Sequence, residues 1–272
     1  MSSQVIAFIG GGNMASAIIG GLLKQGRQAS DILVVEPFAE ARERLARDFG
    51  IQALEAADAR LASAALVVWA VKPQTFREAA TAVQAHTAQA LHLSVAAGIR
   101  SDSIAQWTGT ERVVRCMPNT PALVGKGMTA LFARAAVTAA DRGLVEQVIQ
   151  TTGDSLWVSE ESHLDAVTAL SGSGPAYVFY FIEAMSAAGA QMGLSEAQAL
   201  KLSIGTFVGA AELARASTEP PEVLRQRVTS KGGTTYAALC SLEENQVKAH
   251  FMQAMEKARA RAQELGDEFG AA

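Results

Sequence analysis

The 272 residues predict an α/β domain built on a doubly wound parallel sheet, followed by an all-α domain. Three observations carry this. Up to about residue 160, short and almost wholly apolar runs alternate with segments of helical periodicity. Such runs suit strands buried on both faces of a parallel sheet, with helices crossing between them. Beyond that point the strand signal stops and long helical segments take over. The length also suits two domains of roughly 100–170 residues better than one core. The expected division is residues 1–160 and 161–272.

The elements follow in order. Val5-Ile-Ala-Phe-Ile9 is a strand that ends in glycines. Asn13 to Gln25 is a helix with Ile18, Ile19, Leu22 and Leu23 on one face, and Gly26 stops it. Ile32 to Val35 is a strand and Ala39 to Phe49 a helix. Leu66 to Val71, Leu91 to Val95 and Val113 to Met117 are further strands. Gly127 to Phe132 and Leu156 to Val158 read as edge strands flanking a helix at about 139–151.

Helices are then expected over Pro175 to Met192, Glu196 to Ala216, Pro221 to Val228 and Leu242 to Leu265, with a turn at 216–221. The first two are apolar or small on most faces: Tyr177-Val-Phe-Tyr-Phe-Ile182, then Gly205, Gly209, Ala210 and Ala211. A helix without a polar side must be covered by something, and so small a domain offers little cover. A subunit interface through these helices is expected; a compact monomeric bundle is the alternative.

Bulk properties narrow the function. With 23 basic and 27 acidic residues the net charge is −4, which gives no general drive toward nucleic acid or anionic membrane. No apolar run reaches the roughly 18 residues that would span a bilayer. A first strand at Val5 leaves no room for a signal peptide. Two cysteines, Cys116 and Cys240, suit a reducing cytoplasm rather than a disulfide framework. The four histidines are scattered without ligand spacing, so no metal site is expected.

Gly10-Gly-Gly12-Asn-Met-Ala15 directly follows the first strand and opens the first helix. This is G-x-G-x-x-A in its required context. Gly10 permits the tight turn, Gly12 lets backbone N–H groups approach a pyrophosphate, and Ala15 keeps the helix close to the sheet. The phosphates then sit at the positive end of the helix. The domain is thus Rossmann-like. Glu36, at the end of the second strand, lies where an acidic residue would bind the adenosine ribose hydroxyls. That favours NAD(H), a preference that Arg42 and Arg44 on the next helix moderate; a solvated strand end is the bland alternative. The cofactor reading is therefore NADPH or NADH. Val71-Lys72-Pro73 closes the third strand, with Lys72 at the carboxyl edge of the sheet and Pro73 suited to the first turn of a helix.

Further segments complete a set: Ala96-Ala97-Gly98-Ile99, Arg115-Cys-Met-Pro-Asn-Thr-Pro121, Leu170-Ser-Gly-Ser-Gly-Pro-Ala-Tyr177 and Val228-Thr-Ser-Lys-Gly-Gly-Thr-Thr235. Together with the glycine motif and Ala70-Val-Lys-Pro73, they resemble the motif set of pyrroline-5-carboxylate reductases from about residue 5 to residue 265. The stretch at 228–235 is the most discriminating part.

The resemblance implies hydride transfer from NAD(P)H to 1-pyrroline-5-carboxylate, a cyclic imine carboxylate, giving L-proline. It also implies an all-α dimerisation domain, with homodimers building a larger homo-oligomer. Carried over by position, Gly10, Gly11, Gly12, Asn13, Met14, Val71, Lys72, Pro73, Ala97 and Asn119 contact the cofactor. Ser230, Gly233, Thr234 and Thr235 hold substrate. Two positions depart from the family pattern: Lys231 stands where a proline or another small residue is usual, and Ala57 where asparagine is frequent.

The chemistry also stands on its own terms. An imine accepts hydride readily, so the protein must mainly position the reactants, an effect worth roughly 7–11 kcal/mol. Neither a histidine–carboxylate dyad nor a Tyr-x-x-x-Lys pair occurs, which suits an imine and not a ketone or alcohol. Ser-Lys-Gly-Gly-Thr-Thr at a helix start is a carboxylate trap of free N–H groups and hydroxyls. Thr235 is a candidate proton donor or orienter at the ring nitrogen; an ordinary helix cap is the alternative. Two other readings remain. A β-hydroxyacid dehydrogenase would need a catalytic lysine on a central helix, and Lys201 lacks the expected neighbours. A non-catalytic nucleotide-binding protein would need no carboxylate trap.

Overall fold

The structure is a computed structural model that describes residues 4–270. The residues before Gln4, on which the expected lack of a signal peptide partly rests, lie outside the described residues. The chain forms two compact units. One runs to Ser173 and takes in the chain from Ala258; the other is Gly174–Lys257.

Among the described residues the first unit contains seven strands: β1 (Val5–Ile9), β2 (Ile32–Val35), β3 (Ala64–Trp69), β4 (Leu91–Ser94), β5 (Val113–Met117), β6 (Gly127–Ala133) and β7 (Gly153–Trp157). They form one sheet in the order β2-β1-β3-β4-β5-β6-β7. Strands β1 to β5 are mutually parallel, as expected. β6 departs from this and runs antiparallel to β5, with β7 parallel to β6. Loop length explains the reversal. A parallel return needs a crossover of a dozen or more residues. Residues 118–126 supply only one 3-10 turn (Thr120–Val124), closed by Gly125 at φ 69°. β6 is consequently interior, not the expected edge strand; the edges are β2 and β7.

Five helices cover the sheet: α1 (Asn13–Lys24), α2 (Ala39–Phe49), α3 (Pro73–Val83), α4 (Ser101–Thr108) and α5 (Ala139–Ile149). Strand alternation divides the core in two. Ile6 and Phe8 of β1 pack with Ile18, Ile19 and Leu22 of α1 and with Val145 and Val148 of α5. Ala7 and Ile9 pack on the other side with Phe76, Ala80 and Val83 of α3 and Ile104 of α4. Both faces are buried, which is why these strands read as continuous apolar runs. Each buried Ile or Phe adds about 1.5–3 kcal/mol over an exposed one. A short helix, α6 (His163–Val167), then runs into a π-helical turn at Thr168–Gly172.

The second unit is helical: α7 (Gly174–Gln191), α8 (Glu196–Ala216), α9 (Pro221–Arg227), α10 (Thr234–Glu244) and the start of α11 (Val247–Gly270). The Ser195 hydroxyl and Gln198 side chain form a reciprocal cap that starts α8. α7 and α8 approach closely at Gly189, where a Cβ would stand 2.9 Å from the Ala199 Cβ. The single helix expected over Leu242 to Leu265 is instead the end of α10, a break at Asn245-Gln246 and most of α11. The Asn245 amide donates to the Ser241 carbonyl at 2.8 Å, and Gln246 takes a left-handed φ of 52°. Such side-chain bonding to the local backbone competes with helix propagation. Phe179, Tyr180, Leu202, Val208 and Leu213 lie exposed on α7 and α8 in the single chain. An apolar surface of this kind marks an interaction face.

Candidate active site

In the first unit, registers Ile9↔Trp69, Trp69↔Ser94 and Ser94↔Arg115 align the carboxyl ends of β1, β3, β4 and β5. The loops after these strands therefore share one edge of the sheet. They carry Gly10, Gly11 and Gly12, then Val71, Lys72 and Pro73, then Ala97, then Asn119. The strand order reverses at β1, with β2 added on one side and β3 on the other, and open α/β sheets bind ligands at such a switch point.

The glycine loop combines a tight turn with open space at a helix start. Gly10 has φ +94°, and a Cβ there would stand 2.7 Å from the Ala70 carbonyl oxygen. Its N–H donates to the Val35 carbonyl at 2.8 Å. Gly12 caps α1 with no side-chain hydrogen bond, and a Cβ built on it meets nothing within 4 Å. Open space thus lies at a helix N-terminus whose first N–H groups lack intrahelical partners. Ala15 is fully buried against the sheet. Asn13 is exposed and Met14 half-buried at the start of α1.

Glu36 follows β2 and is only 6% exposed. Its Oε2 accepts from the Gly11 N–H at 2.7 Å and its Oε1 from the Phe38 N–H at 3.0 Å. Sequence reasoning placed this residue toward a ribose; it missed that the carboxylate also pins the glycine loop. Arg44 donates to the Gly11 carbonyl at 3.2 Å.

Lys72 is exposed and caps α3, whose first residue is Pro73. Ala97 is exposed beside Gly98, which has φ +73° and packs against Leu265 and Phe269 of α11. The Asn119 side chain is committed to the protein: Nδ2 donates to the Ser171 carbonyl at 3.1 Å, and Oδ1 accepts from the Met128 N–H at 2.9 Å. Any cofactor contact there falls to its backbone or to its neighbours.

A further cluster escaped the sequence reading. Arg115, buried in β5, pairs with Glu161, whose carboxylate also accepts from the Ser101 N–H at 2.6 Å and from the Ser101 hydroxyl. Glu161 thereby ties β5 to the start of α4, just after the loop bearing Ala97. A lone arginine within Val-Val-Arg-Cys-Met was the available signal, because a buried charge demands a partner. The adjacent Cys116 thiol is pushed up to about 12 by burial, partly offset by Arg115, so it is no nucleophile.

Ser230, Gly233, Thr234 and Thr235 belong to the other unit. Gly232 takes φ +74°, which favours glycine, and Gly233 is the N-cap of α10. The Gly233 N–H donates to the Ser230 carbonyl at 3.0 Å, and a Cβ on Gly233 would stand 2.6 Å from the Ser230 hydroxyl oxygen. The Ser230 hydroxyl is thus held over the start of α10, followed by Thr234 and Thr235. Lys231 is exposed at the tip of the turn. Among the described residues, no group of three or more His, Cys, Asp or Glu side chains is placed to hold a metal ion. No described helix is long and apolar enough to cross a membrane.

Comparison with known proteins places both halves. A family model for pyrroline-5-carboxylate reductase dimerisation matches residues 161–265, and one for NADP oxidoreductase, coenzyme F420-dependent, matches residues 5–98. The pyrroline-5-carboxylate reductase of Pseudomonas aeruginosa is 44% identical over 272 residues, covering 99% of this chain and 100% of the relative. The solved structure of a pyrroline-5-carboxylate reductase from Coxiella burnetii is 36% identical with a TM-score of 0.90, covering 97% of this chain and 99% of the other. That of Plasmodium falciparum pyrroline carboxylate reductase with NADP bound is 28% identical with a TM-score of 0.86, covering 98% and 99%.

Proposed function

The chain belongs to the pyrroline-5-carboxylate reductase family, and we propose that its two glycine-bearing stretches divide the work, one anchoring the coenzyme and the other the substrate. The enzyme is an NAD(P)H-dependent oxidoreductase that reduces 1-pyrroline-5-carboxylate to L-proline in proline biosynthesis. Its helical second half carries the family's dimerisation region.

In this reading, residues 1–160 serve the dinucleotide and residues 161–272 serve dimerisation and substrate. The N–H groups of Gly12, Asn13 and Met14 receive the pyrophosphate, helped by the α1 dipole, while Gly11 lines the loop with its own N–H held by Glu36. Glu36 faces the adenosine ribose. Val71, Lys72, Pro73, Ala97 and the Asn119 loop frame the nicotinamide end, at the shared edge of β3, β4 and β5. The reduced nicotinamide supplies the hydride. The substrate carboxylate sits on the N-terminus of α10, held by the Ser230 hydroxyl and the Thr234 N–H, while Gly233, whose own N–H closes the turn onto the Ser230 carbonyl, leaves space for its approach. Thr235 hydrogen-bonds the ring nitrogen. Hydride adds to the imine carbon, the C=N π pair moves onto nitrogen, and nitrogen takes up one proton.

The observation that carries this division is the glycine N-cap, without a side-chain hydrogen bond, at both helix starts, Gly12 for α1 and Gly233 for α10. Each offers backbone donors to an anion, a phosphate at one and a carboxylate at the other. The exposed apolar face of α7 and α8 supports homodimers that assemble further into a larger homo-oligomer. The free cysteines Cys116 and Cys240 suit the cytoplasm. The test follows absorbance at 340 nm with 1-pyrroline-5-carboxylate and each coenzyme. Loss of absorbance that needs both substrates is expected. Oxidation of 3-hydroxyacids with no action on the imine would instead favour a β-hydroxyacid dehydrogenase.

A further inference from the structure

The coenzyme choice is written in the residues just past β2. We propose that Glu36 makes this reductase selective for NADH, by occupying with fixed negative charge the place where the 2′-phosphate of NADPH would sit. The inference rests on the coenzyme site proposed above.

Glu36 stands at the carboxyl end of β2, beside the glycine loop, where the adenosine ribose of a bound dinucleotide falls. Its carboxylate is fixed from two sides, by the Gly11 N–H at 2.7 Å and the Phe38 N–H at 3.0 Å. A carboxylate has about four acceptor positions, so two backbone donors leave room for the ribose 2′- and 3′-hydroxyls. A 2′-phosphate has no proton to offer in the same way and brings charge of the same sign. The carboxylate cannot swing aside without releasing Gly11 from the loop that receives the pyrophosphate.

The nearby cations are committed elsewhere. Arg42 donates to the carbonyls of Glu36 and Pro37 at 3.0 and 2.7 Å and faces the Glu55 carboxylate at 3.6 Å. Arg44 donates to the Gly11 carbonyl at 3.2 Å. Either guanidinium would have to leave a backbone partner to neutralise a phosphate, with Glu36 still in place. Like charges in contact at a buried carboxylate are not relieved by solvent as they are in water.

Steady-state rates are measured at saturating 1-pyrroline-5-carboxylate with NADH and NADPH varied separately. The expected kcat/KM is at least tenfold higher for NADH. In Glu36→Gln and Glu36→Ser, the NADH-to-NADPH ratio is expected to fall at least tenfold. A purely structural defect would lower both coenzymes alike and leave the ratio unchanged. A wild-type enzyme that prefers NADPH or treats both alike overturns the proposal, as does an unchanged ratio in both variants. Absence of turnover with either coenzyme would count against the reductase reading. In that case the Kd values of NADH and NADPH, read from quenching of tryptophan fluorescence, decide the role of Glu36 by the same tenfold criterion.

Discussion

The side-chain amide of Asn119 donates to the backbone carbonyl of Ser171 at 3.1 Å. That bond joins the loop after β5 to the π-helical turn at Thr168–Gly172, two segments far apart in the chain. With its other end on the Met128 N–H, one side chain fixes three pieces of backbone. Removing it orphans a donor and an acceptor. Asn119→Ala is expected to cost about 2 kcal/mol, seen as a lower urea midpoint with an unchanged slope. A midpoint equal to wild type would show that water replaces both bonds.

Gly10 and Gly12 sit two residues apart and predict opposite phenotypes. A Cβ on Gly10 meets backbone at 2.7 Å from a left-handed φ of +94°, and backbone cannot move aside cheaply. Gly10→Ala is expected to destabilise the fold by roughly 1–3 kcal/mol or more. A Cβ on Gly12 meets nothing within 4 Å. Gly12→Ala is expected to melt within a degree or two of wild type, a change under about 0.5 kcal/mol. Its coenzyme Kd should nonetheless rise at least tenfold, because the methyl occupies the phosphate approach. Wild-type coenzyme affinity in Gly12→Ala would move the pyrophosphate elsewhere.

His92 is buried in β4, where the Trp69 indole N–H donates to Nδ1 at 2.9 Å and Nε2 faces the Thr87 carbonyl at 3.3 Å. Burial, helped by the Arg112 charge and opposed by the Thr87 carbonyl, pulls its pKa from 6.5 down to about 4. The folded state therefore binds this proton less tightly than the unfolded chain. Its contribution is fully present above pH 6.5 and is lost as pH falls through the window to about 4, an effect of the order of 3 kcal/mol. His92→Asn keeps an acceptor for Trp69 but cannot titrate. Its plot of unfolding free energy against pH should be flatter between 6.5 and 4. An unchanged slope would assign the acid lability to other groups.

Thr235→Ala is expected to lower kcat or raise KM for the imine by at least tenfold while coenzyme Kd stays at the wild-type value. Thr235→Ser, which restores the hydroxyl, should recover most of the loss. Unchanged kinetics in the alanine variant would remove Thr235 from the site.

Much of this fold was legible because local signals agreed with it. The limits of α2 and α8 match the apolar periodicity residue for residue, and α8 carries a cap encoded by Ser195 and Gln198. The glycine loop was legible because Gly10 and Gly12 must answer backbone constraints that few other residues satisfy. What escaped depends on partners distant in sequence. The reversal of β6 follows from pairing across a nine-residue loop, not from its apolar pattern. The grip of Glu161 on Arg115 and Ser101 joins residues 46 and 60 positions apart, and no periodicity records it. The break at Asn245-Gln246 is different: Asn245 carried a local warning that the helical pattern on both sides outweighed.

The most direct measurement is a crystal structure of the enzyme assembly with NAD(P)⁺ and L-proline bound. The proline carboxylate is expected on the N-terminus of α10, within hydrogen-bond distance of Ser230, Gly233 or Thr234, with its ring nitrogen near Thr235. The nicotinamide of a dinucleotide anchored at Gly10, Gly11 and Gly12 should lie against the same ring. Proline bound away from the 230–235 stretch in every subunit, or a nicotinamide pointing into a different cavity, would contradict the account.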